Sequence, residues 1–231
     1  MDALKVYIVD THDESFVENR EALSRMLSPY RRAKLERFAS GGTEAAAARR
    51  SNNYDLCLAA GLVTDIGLKD YGLREKDMKY GTASGGKPIF LNHPEIRFNI
   101  SHAGHYAVAA FSDEYEPGID IEDCRRISNR IIFSIFGEEE RRLIMEAPDE
   151  ETRMRMFGRI WTVREAFVKA TGLGLATPRD AYSTVMKEGR LAISQKVCDG
   201  DFGTRELSPI GDYCISVVAG KNIHFERQAR G

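Results

Sequence analysis

Two carboxylates that lie two residues apart are the first feature of this chain that could do chemistry. Asp120 and Glu122 alternate with Ile119 and Ile121 in a short apolar stretch. On a β-strand, residues i and i+2 point to the same face, so the isoleucines are predicted to face the core and the carboxylates to lie side by side on the other face. Adjacent carboxylates repel each other unless a cation lies between them, which favours a divalent-metal site. A solvated strand edge gives the same alternation, and this stretch alone leaves both interpretations open.

Further polar residues lie on both sides of this strand. Upstream, two strand-like runs, 96–101 and 106–111, predict a β-hairpin, in which Ser101 ends the first run and His102 begins the connection. Downstream, residues 151–171 have the periodicity of a long helix that carries Glu165 and Lys169 one turn apart. Taken alone, that last pair is most simply interpreted as an exposed ion pair.

Basic residues cluster in a helical segment near the N-terminus, at positions 31, 32, 34 and 37. A solvated basic face and a phosphate clamp both explain this cluster, and nothing local decides between them. Residues 81–88 are predicted to form a glycine-rich loop with Lys87 near its end. Such a loop can approach a phosphate, but it lacks the Walker pattern and is more often only a loop.

The bulk composition excludes several classes of protein. The chain has 231 residues, 33 basic and 35 acidic, for a net charge of -2, so bulk charge does not indicate a nucleic-acid binder. We expect no membrane span and no signal peptide, and therefore a cytoplasmic protein. The four cysteines are widely spaced, and neither a zinc site nor a disulfide framework is expected.

The order of predicted elements is strand, helices, strands, and then the same again. This order predicts an α+β fold of two halves. The acidic turn Asp113–Pro117 is the best candidate for a boundary. The predicted halves are residues 1–113 and residues 114–231, the second of which contains both carboxylates and the long helix.

Four short motifs follow one another in a defined order along the chain. They are Gly86-Lys87-Pro88, residues 98–104 (Phe-Asn-Ile-Ser-His-Ala-Gly), residues 118–122 (Gly-Ile-Asp-Ile-Glu), and residues 161–169 (Trp-Thr-Val-Arg-Glu-Ala-Phe-Val-Lys) with Gly-Leu-Gly-Leu from 172. Together they resemble the 4'-phosphopantetheinyl transferase superfamily, in its longer surfactin-synthetase-activator type. The resemblance runs from about Lys5 onwards and is strongest between Lys87 and Leu175. It implies a monomer of two similar α+β halves, a pseudo-dimer with the active site at their interface.

The resemblance also implies an activity. Enzymes of this family transfer the 4'-phosphopantetheine arm of coenzyme A to a serine of an apo acyl or peptidyl carrier protein and release adenosine 3',5'-bisphosphate. They require a divalent metal, usually magnesium, with manganese as an alternative. The carrier protein could be of the fatty-acid, polyketide or nonribosomal-peptide type, and no nucleic acid or membrane is implied as a partner.

Roles for individual residues follow from the resemblance. Asp120, Glu122 and Glu165 would hold the metal, and Glu165 matches the residue proposed as the base, acting directly or through a water. Lys169 would stabilise the leaving α-phosphate, and His102 would contact a phosphate of coenzyme A.

Further coenzyme contacts are implied at Arg31, Lys34, Arg50, Lys87 and Ser101. The family helix commonly has lysine before the catalytic glutamate, where this chain has arginine at 164, which changes the geometry of any phosphate contact. Two other functions compete with the enzyme: a catalytically silent module that binds coenzyme A or a carrier, and a magnesium-dependent phosphotransferase that uses a nucleoside triphosphate. The first would be expected to lose an acidic ligand or Lys169, and the second lacks its motifs.

Overall fold

The fold is taken from a computed structural model, which describes residues 4–39, 44–125, 129–174, 177–178, 180–221 and 227–228. For residues 39, 44–50, 84, 129–131 and 227–228 it describes the backbone only. Within these residues, no helix is both long and apolar enough to cross a membrane.

Helices and strands are mixed along the whole chain, which confirms the α+β class. The first part contains β1 (Lys5–Asp10), α1 (Glu14–Arg25), α2 (Pro29–Ala39), α3 (Glu44–Lys69), β2 (Tyr80–Ala83), β3 (Pro88–Phe90), β4 (Arg97–Ala103) and β5 (Tyr106–Ser112). The second part contains β6 (Glu116–Asp123), α4 (Asn129–Ile135), α5 (Glu138–Met145), α6 (Glu150–Thr171), β7 (Tyr182–Lys187), β8 (Arg190–Gln195), β9 (Phe202–Glu206), β10 (Tyr213–Gly220) and β11 (Arg227–Gln228).

Local signals account for most of these boundaries. Pro29 interrupts the helical pattern because it is the first residue of α2, where its missing N–H costs nothing. The Asp149 carboxylate caps α6 by accepting from the Thr152 N–H at 2.7 Å, and Gly172 ends that helix with a φ of 66°. The glycine-rich loop predicted over 81–88 is shorter in the structure, where it covers residues 84–87. Strands β2 and β3 form a hairpin there, and β11 pairs with β2, a long-range partner that no local pattern reveals.

The two main sheets share one strand order. The first sheet is β1-β5-β4 and the second is β6-β10-β9, and every pairing in them is antiparallel. In the first sheet, β5 lies in the middle and pairs with both β1 and β4. In the second, β10 lies in the middle and pairs with both β6 and β9. This repetition supports two similar halves. The division at residues 113 and 114 remains a proposal, and β11 crosses it to join the sheet of β2 and β3.

Three hydrophobic clusters form the core between the helices and the two main sheets. The first packs α1–α3 against the β1-β5-β4 sheet and includes Phe98 and Phe111. The second lies around α6, and the third joins the two sheets through residues such as Val108 of β5. Ile119 and Ile121 belong to the third cluster, with 0% and 2% exposure, so their predicted inward orientation is confirmed.

Helix α6 lies directly on strand β6. A Cβ atom at Gly118 would lie 1.9 Å from the carbonyl oxygen of Ala166, so only glycine allows the two backbones to come this close. Further along, Ser216, the β10 neighbour of Asp120, lies 2.8 Å from the hydroxyl of Thr162. Residue numbers therefore increase along the strand as they decrease along the helix, so α6 runs antiparallel to β6.

A buried ion pair joins α5 to α6. Both oxygens of Glu140 accept from Nη1 of Arg164 at 2.9 Å, and the carboxylate also accepts the N–H groups of Thr184 and Gly137. The exposed fractions of the two residues are 1% and 2%. The guanidinium also lies 4.2 Å from the ring centroid of Tyr182. Arg164 therefore has a structural role, which explains its presence without a phosphate contact.

The sulfurs of Cys124 and Cys214 pair as a disulfide next to the end of β6. The two residues are 90 positions apart in sequence, with Cα atoms 6.5 Å apart. The antiparallel pairing of β6 with β10 brings them together, so their sequence spacing gave no indication of this pair.

The contact at Gly118 predicts a loss of stability on substitution. Gly118→Ala should lower the free energy of unfolding by about 1–3 kcal/mol, because the new methyl group must push α6 away from β6. Urea denaturation measures the change. Gly137→Ala is the control, because its Cβ would have no atom nearer than 3.8 Å. Its loss should stay below about 1 kcal/mol, and an equal loss in both variants would contradict the close approach.

The ion pair predicts a larger effect. Glu140→Ala should lower the free energy of unfolding by about 3–5 kcal/mol, because it leaves the Arg164 guanidinium buried without its carboxylate. Glu139→Ala removes an exposed carboxylate from the same helical turn and should cost less than about 1 kcal/mol. Similar denaturation midpoints for the two variants would show that the pair is not a structural requirement.

Candidate active site

The long helix and two strands meet in a polar network around Asp120. Lys169 Nζ donates to Asp120 Oδ1 at 2.6 Å and to Ser101 Oγ at 2.9 Å, and Ser101 Oγ donates to the same carboxylate oxygen at 2.8 Å. Asp120 is only 6% exposed. A solvated strand edge is therefore the wrong interpretation of this carboxylate. The network ties β4, on one side of the Asp113–Pro117 turn, to β6 and α6 on the other.

Glu165 belongs to the same region by its position on α6. Thr162 of the helix contacts Ser216, which lies opposite Asp120 in the sheet, and Ala166 packs against Gly118. Glu165 lies between these two contacts and one turn before Lys169. It is half-buried, which places it at the border of the helix–strand contact and not on an outer face.

The three carboxylates proposed as metal ligands belong to two elements, Asp120 and Glu122 to β6 and Glu165 to α6. Among the described residues, the donor groups whose ligand atoms all lie within 4.8 Å of one another are those of Asp10, His12 and His105. Asp120, Glu122 and Glu165 do not meet that spacing, and Lys169 neutralises Asp120. The donor set is nevertheless composed entirely of carboxylate oxygens, which suits a hard cation such as Mg²⁺.

A pocket of about 420 Å³ opens on the side of the first sheet. Arg31, Lys34 and Arg37 of α2 line it, and His102 of β4 lines it as well. The structure thus brings together three of the residues assigned to coenzyme binding. The remaining lining residues are mostly aromatic or apolar: Tyr30, Phe38, Asn53, Leu56, Cys57, Ala60, Pro88 and Ile100.

Arg31 is not part of a solvated basic face. Its side chain is 8% exposed, its Nε lies 3.8 Å from Glu75 Oε1, and its guanidinium lies 5.3 Å from the ring centroid of Tyr80. That Nε has no hydrogen-bond partner among the described residues. A buried cation with unused hydrogen-bonding capacity beside a pocket favours the phosphate-clamp interpretation.

The pocket and the polar network are adjacent because they share strand β4. Successive residues of a strand point to opposite faces, so Ser101 reaches Asp120 while His102 and Ile100 line the pocket. Desolvation by neighbouring protein atoms, followed by the charge of Lys169, lowers the pKa of the exposed His102 imidazole from its ordinary value, and Arg31 acts in the same direction. His102 is therefore within electrostatic reach of both groups of residues.

Lys87 lies elsewhere. Its ammonium is 2.6 Å from Glu116 Oε1 and 2.7 Å from the carbonyl oxygen of Pro117, and its side chain is 3% exposed. Burial lowers its pKa, while Glu116 opposes this shift. Lys87 ties the β2–β3 hairpin to β6, and its neighbour Pro88 lines the pocket instead. Its role as a coenzyme contact remains a prediction, now with a structural alternative.

Other lining residues could not be assigned to the site from the sequence. Arg50 lies on α3, and its side chain falls outside the described residues. Asn53 and Cys57, one turn apart on the same helix, do line the pocket. Their helical spacing predicts a shared face, but only the packing of α3 beside α2 shows which surface that face meets.

Comparison with known proteins finds a matching family model and several similar proteins. A family model described as the 4'-phosphopantetheinyl transferase superfamily matches residues 116–218. The chain is 29% identical over 191 residues to 4'-phosphopantetheinyl transferase Sfp of Bacillus subtilis (strain 168), a match that covers 82% of this chain and 80% of that protein. The same identity and coverage hold for 4'-phosphopantetheinyl transferase ffp of Bacillus subtilis.

Two further similarities cover a smaller part of the chain. A phosphopantetheinyl transferase of Mus musculus, named for L-aminoadipate-semialdehyde dehydrogenase, is 41% identical over 104 residues, which are 40% of this chain and 34% of that protein. The solved holo-[acyl-carrier-protein] synthase of Thermotoga maritima has a TM-score of 0.40 and 20% identity. That match covers 46% of this chain and 62% of the other, and it is too low to bear on function.

The segment matched by the family model begins at β6 and includes α6, so it contains Asp120, Glu122, Glu165 and Lys169. The similarity to the Bacillus relatives extends the match over 82% of the chain. We conclude that this chain is an enzyme similar to the 4'-phosphopantetheinyl transferases, through residues 116–218 to the superfamily model and over 82% of its length to the Sfp-type enzymes of Bacillus.

Proposed function

We propose that this enzyme transfers the 4'-phosphopantetheine arm of coenzyme A to a serine of an apo acyl or peptidyl carrier protein and releases adenosine 3',5'-bisphosphate. One observation supports this most strongly. The cationic pocket adjoins the Ser101–Asp120–Lys169 network through two consecutive residues of β4. A substrate with its phosphates in the pocket would therefore present its pyrophosphate to the carboxylates and Lys169.

Coenzyme A carries a 3'-phosphate and a pyrophosphate, and both need cationic partners. Arg31 and Lys34 would supply them, the His102 imidazole would donate a hydrogen bond to a phosphate oxygen, and Arg50 and Lys87 are further proposed contacts. Arg31 is held in place by its burial against Tyr80 and Glu75 before any ligand binds. A preordered guanidinium loses little conformational entropy on binding a phosphate.

Asp120, Glu122 and Glu165 would hold Mg²⁺, or Mn²⁺ in its place. The ion would supply neutralisation of negative charge on the pyrophosphate oxygens. The fit rests on the all-oxygen donor set and on the position of Glu165 between the helical contacts to Gly118 and to Ser216, the β10 neighbour of Asp120.

The reaction joins the carrier serine to the phosphorus that bears the pantetheine arm. The serine oxygen attacks that β-phosphorus, and the bond from the β-phosphorus to the bridging oxygen breaks. The electron pair remains on the α-phosphate of the departing adenosine 3',5'-bisphosphate. Glu165 would accept the serine proton, and the Lys169 ammonium would stabilise the charge that develops on the α-phosphate. Ser101 would help to hold Lys169 in place through its 2.9 Å contact.

The proposal includes a monomer in the cytoplasm. Strand β4 and helix α2 supply the pocket, while β6 and α6 supply the proposed metal ligands and Lys169, so one chain provides both parts. The carrier is proposed only as a class, with a serine as the acceptor, and includes fatty-acid, polyketide and nonribosomal-peptide carriers.

Removal of a carboxylate is expected to abolish the transfer. Wild-type protein incubated with an apo-carrier, coenzyme A and Mg²⁺ should add the mass of one phosphopantetheine arm to the carrier. Asp120→Ala and Glu165→Ala should lower the rate by at least about a hundredfold, because each removes a proposed metal ligand and the second also removes the base. Intact-mass spectrometry of the carrier measures this.

Glu151→Ala is the matched control, because it removes an exposed glutamate from the same helix α6 and should retain the wild-type rate. Transfer at the wild-type rate by both test variants would contradict the site. Binding of coenzyme A by the wild-type protein, with no mass gain on any carrier in a panel of fatty-acid, polyketide and nonribosomal-peptide types, would favour a silent binding module.

Recognition of the 3'-phosphate gives a second test. Lys34→Ala should raise the KM for coenzyme A by about tenfold, because a charged phosphate contact is lost. It should leave the KM for 3'-dephospho-coenzyme A nearly unchanged. Arg32→Ala is the control, because Arg32 lies on the same helix but is exposed and does not line the pocket. If Lys34→Ala weakens both substrates equally, the residue does not read the 3'-phosphate.

A further inference from the structure

A second group of polar side chains lies outside the candidate active site, at one end of the β1-β5-β4 sheet. The ligand atoms of Asp10, His12 and His105 all lie within 4.8 Å of one another. These residues come from three places: the last position of β1, the connection from β1 to α1, and the turn between β4 and β5. The sequence motifs that indicate phosphopantetheinyl transfer do not use any of them.

The backbone around this group is held from both sides. Asp10 pairs with Tyr106 at the last register position of β1 and β5, and the next N–H, that of Thr11, donates to the carbonyl oxygen of His105 at 2.8 Å. The N–H of His12 donates to Asp10 Oδ1 at 2.8 Å. These bonds fix the relative positions of the three backbone segments, so the convergence of the side chains does not depend on a free loop.

The side chains fit a borderline metal ion better than a hard one. Two imidazoles and one carboxylate are ligands that Zn²⁺, Co²⁺ and Ni²⁺ accept, whereas Mg²⁺ prefers an all-oxygen set. Zn²⁺ binds histidine nitrogen at about 2.0–2.1 Å, so two ligands of a tetrahedral ion lie roughly 3.3 Å apart. The observed limit of 4.8 Å is larger than that value, so the side chains must rotate before they can share one ion.

The imidazole rings of His12 and His105 are stacked, with centroids 4.2 Å apart and planes 5° from parallel. Nitrogen lone pairs lie in the ring plane, so two parallel rings must tilt before both can bind one ion. The ring of His12 is exposed and has room for this rotation.

We propose that Asp10, His12 and His105 form a binding site for one borderline divalent metal ion of the Zn²⁺ class, with the remaining coordination position open to water. The ion would join the β1–α1 connection to the β4–β5 turn, at the end of the sheet that carries His102. The site is independent of the proposed transferase activity, because its ligands and its ion chemistry differ from those at Asp120.

The probe is Zn²⁺, titrated into the full chain by isothermal titration calorimetry. A large excess of Mg²⁺ is present throughout, so that it occupies the oxygen-only sites. The wild-type protein should bind one Zn²⁺, and His12→Ala and His105→Ala should each weaken that binding by at least about tenfold. His93→Ala is the control, because His93 pairs with Glu95 elsewhere and should bind like wild type. Zn²⁺ should also raise the Tm of the wild-type protein and not that of His12→Ala.

Two outcomes would overturn the proposal. If His12→Ala and His105→Ala bind Zn²⁺ like wild type, the ion is held by other donors, such as the free thiols of Cys57 and Cys198. If the wild-type protein binds no Zn²⁺, the stacked rings serve only to pack the turn. Should His105→Ala fail to fold, as judged by circular dichroism, the exposed His12 variant decides the question.

Discussion

The neutralisation of one buried carboxylate is the interaction on which the rest of this structure depends. Asp120 lies between β4, β10 and α6, where an uncompensated charge would be costly. Lys169 and Ser101 satisfy it, and each comes from a different element. The network therefore holds the two sheets and the long helix in one arrangement, and it leaves Lys169 and Glu165 on the same border of the helix. The close packing at Gly118 makes this arrangement possible, because a side chain there would move α6 away from the strand.

Charged pairs in this protein serve two different purposes, and their burial and partners separate them. Two ion pairs are closed, which means that both partners are nearly excluded from solvent and bonded to each other. They are Arg164 with Glu140 and Lys87 with Glu116, and each joins two elements. Arg31 is buried too, but its Nε lies 3.8 Å from the nearest carboxylate and has no hydrogen-bond partner among the described residues. A closed pair stabilises the native fold, whereas a cation with unused donors beside a pocket is available to an anionic ligand.

The repeated strand order explains where the two parts of the candidate site come from. In both main sheets, the first strand is paired with a later one, and the sheets meet through a shared apolar cluster. The first part contributes the cationic pocket through α2 and β4, and the second contributes the carboxylates and Lys169 through β6 and α6. A substrate with several phosphates spread along its length suits such a divided site, because each phosphate meets a different group of cations.

The sequence by itself determined the local features of this protein. Alternation around Asp120 predicted a strand with isoleucines inward, the helical period predicted α6 with Glu165 and Lys169 one turn apart, and the ordered motifs predicted the family. These succeed because side-chain direction within one element follows from its period alone. The pairing of Lys169 with Asp120, the closed pair at Lys87 and the disulfide of Cys124 with Cys214 were decided only by the tertiary structure. Each joins residues from different elements, and the contact between two elements depends on the packing of the whole core, which no local pattern contains.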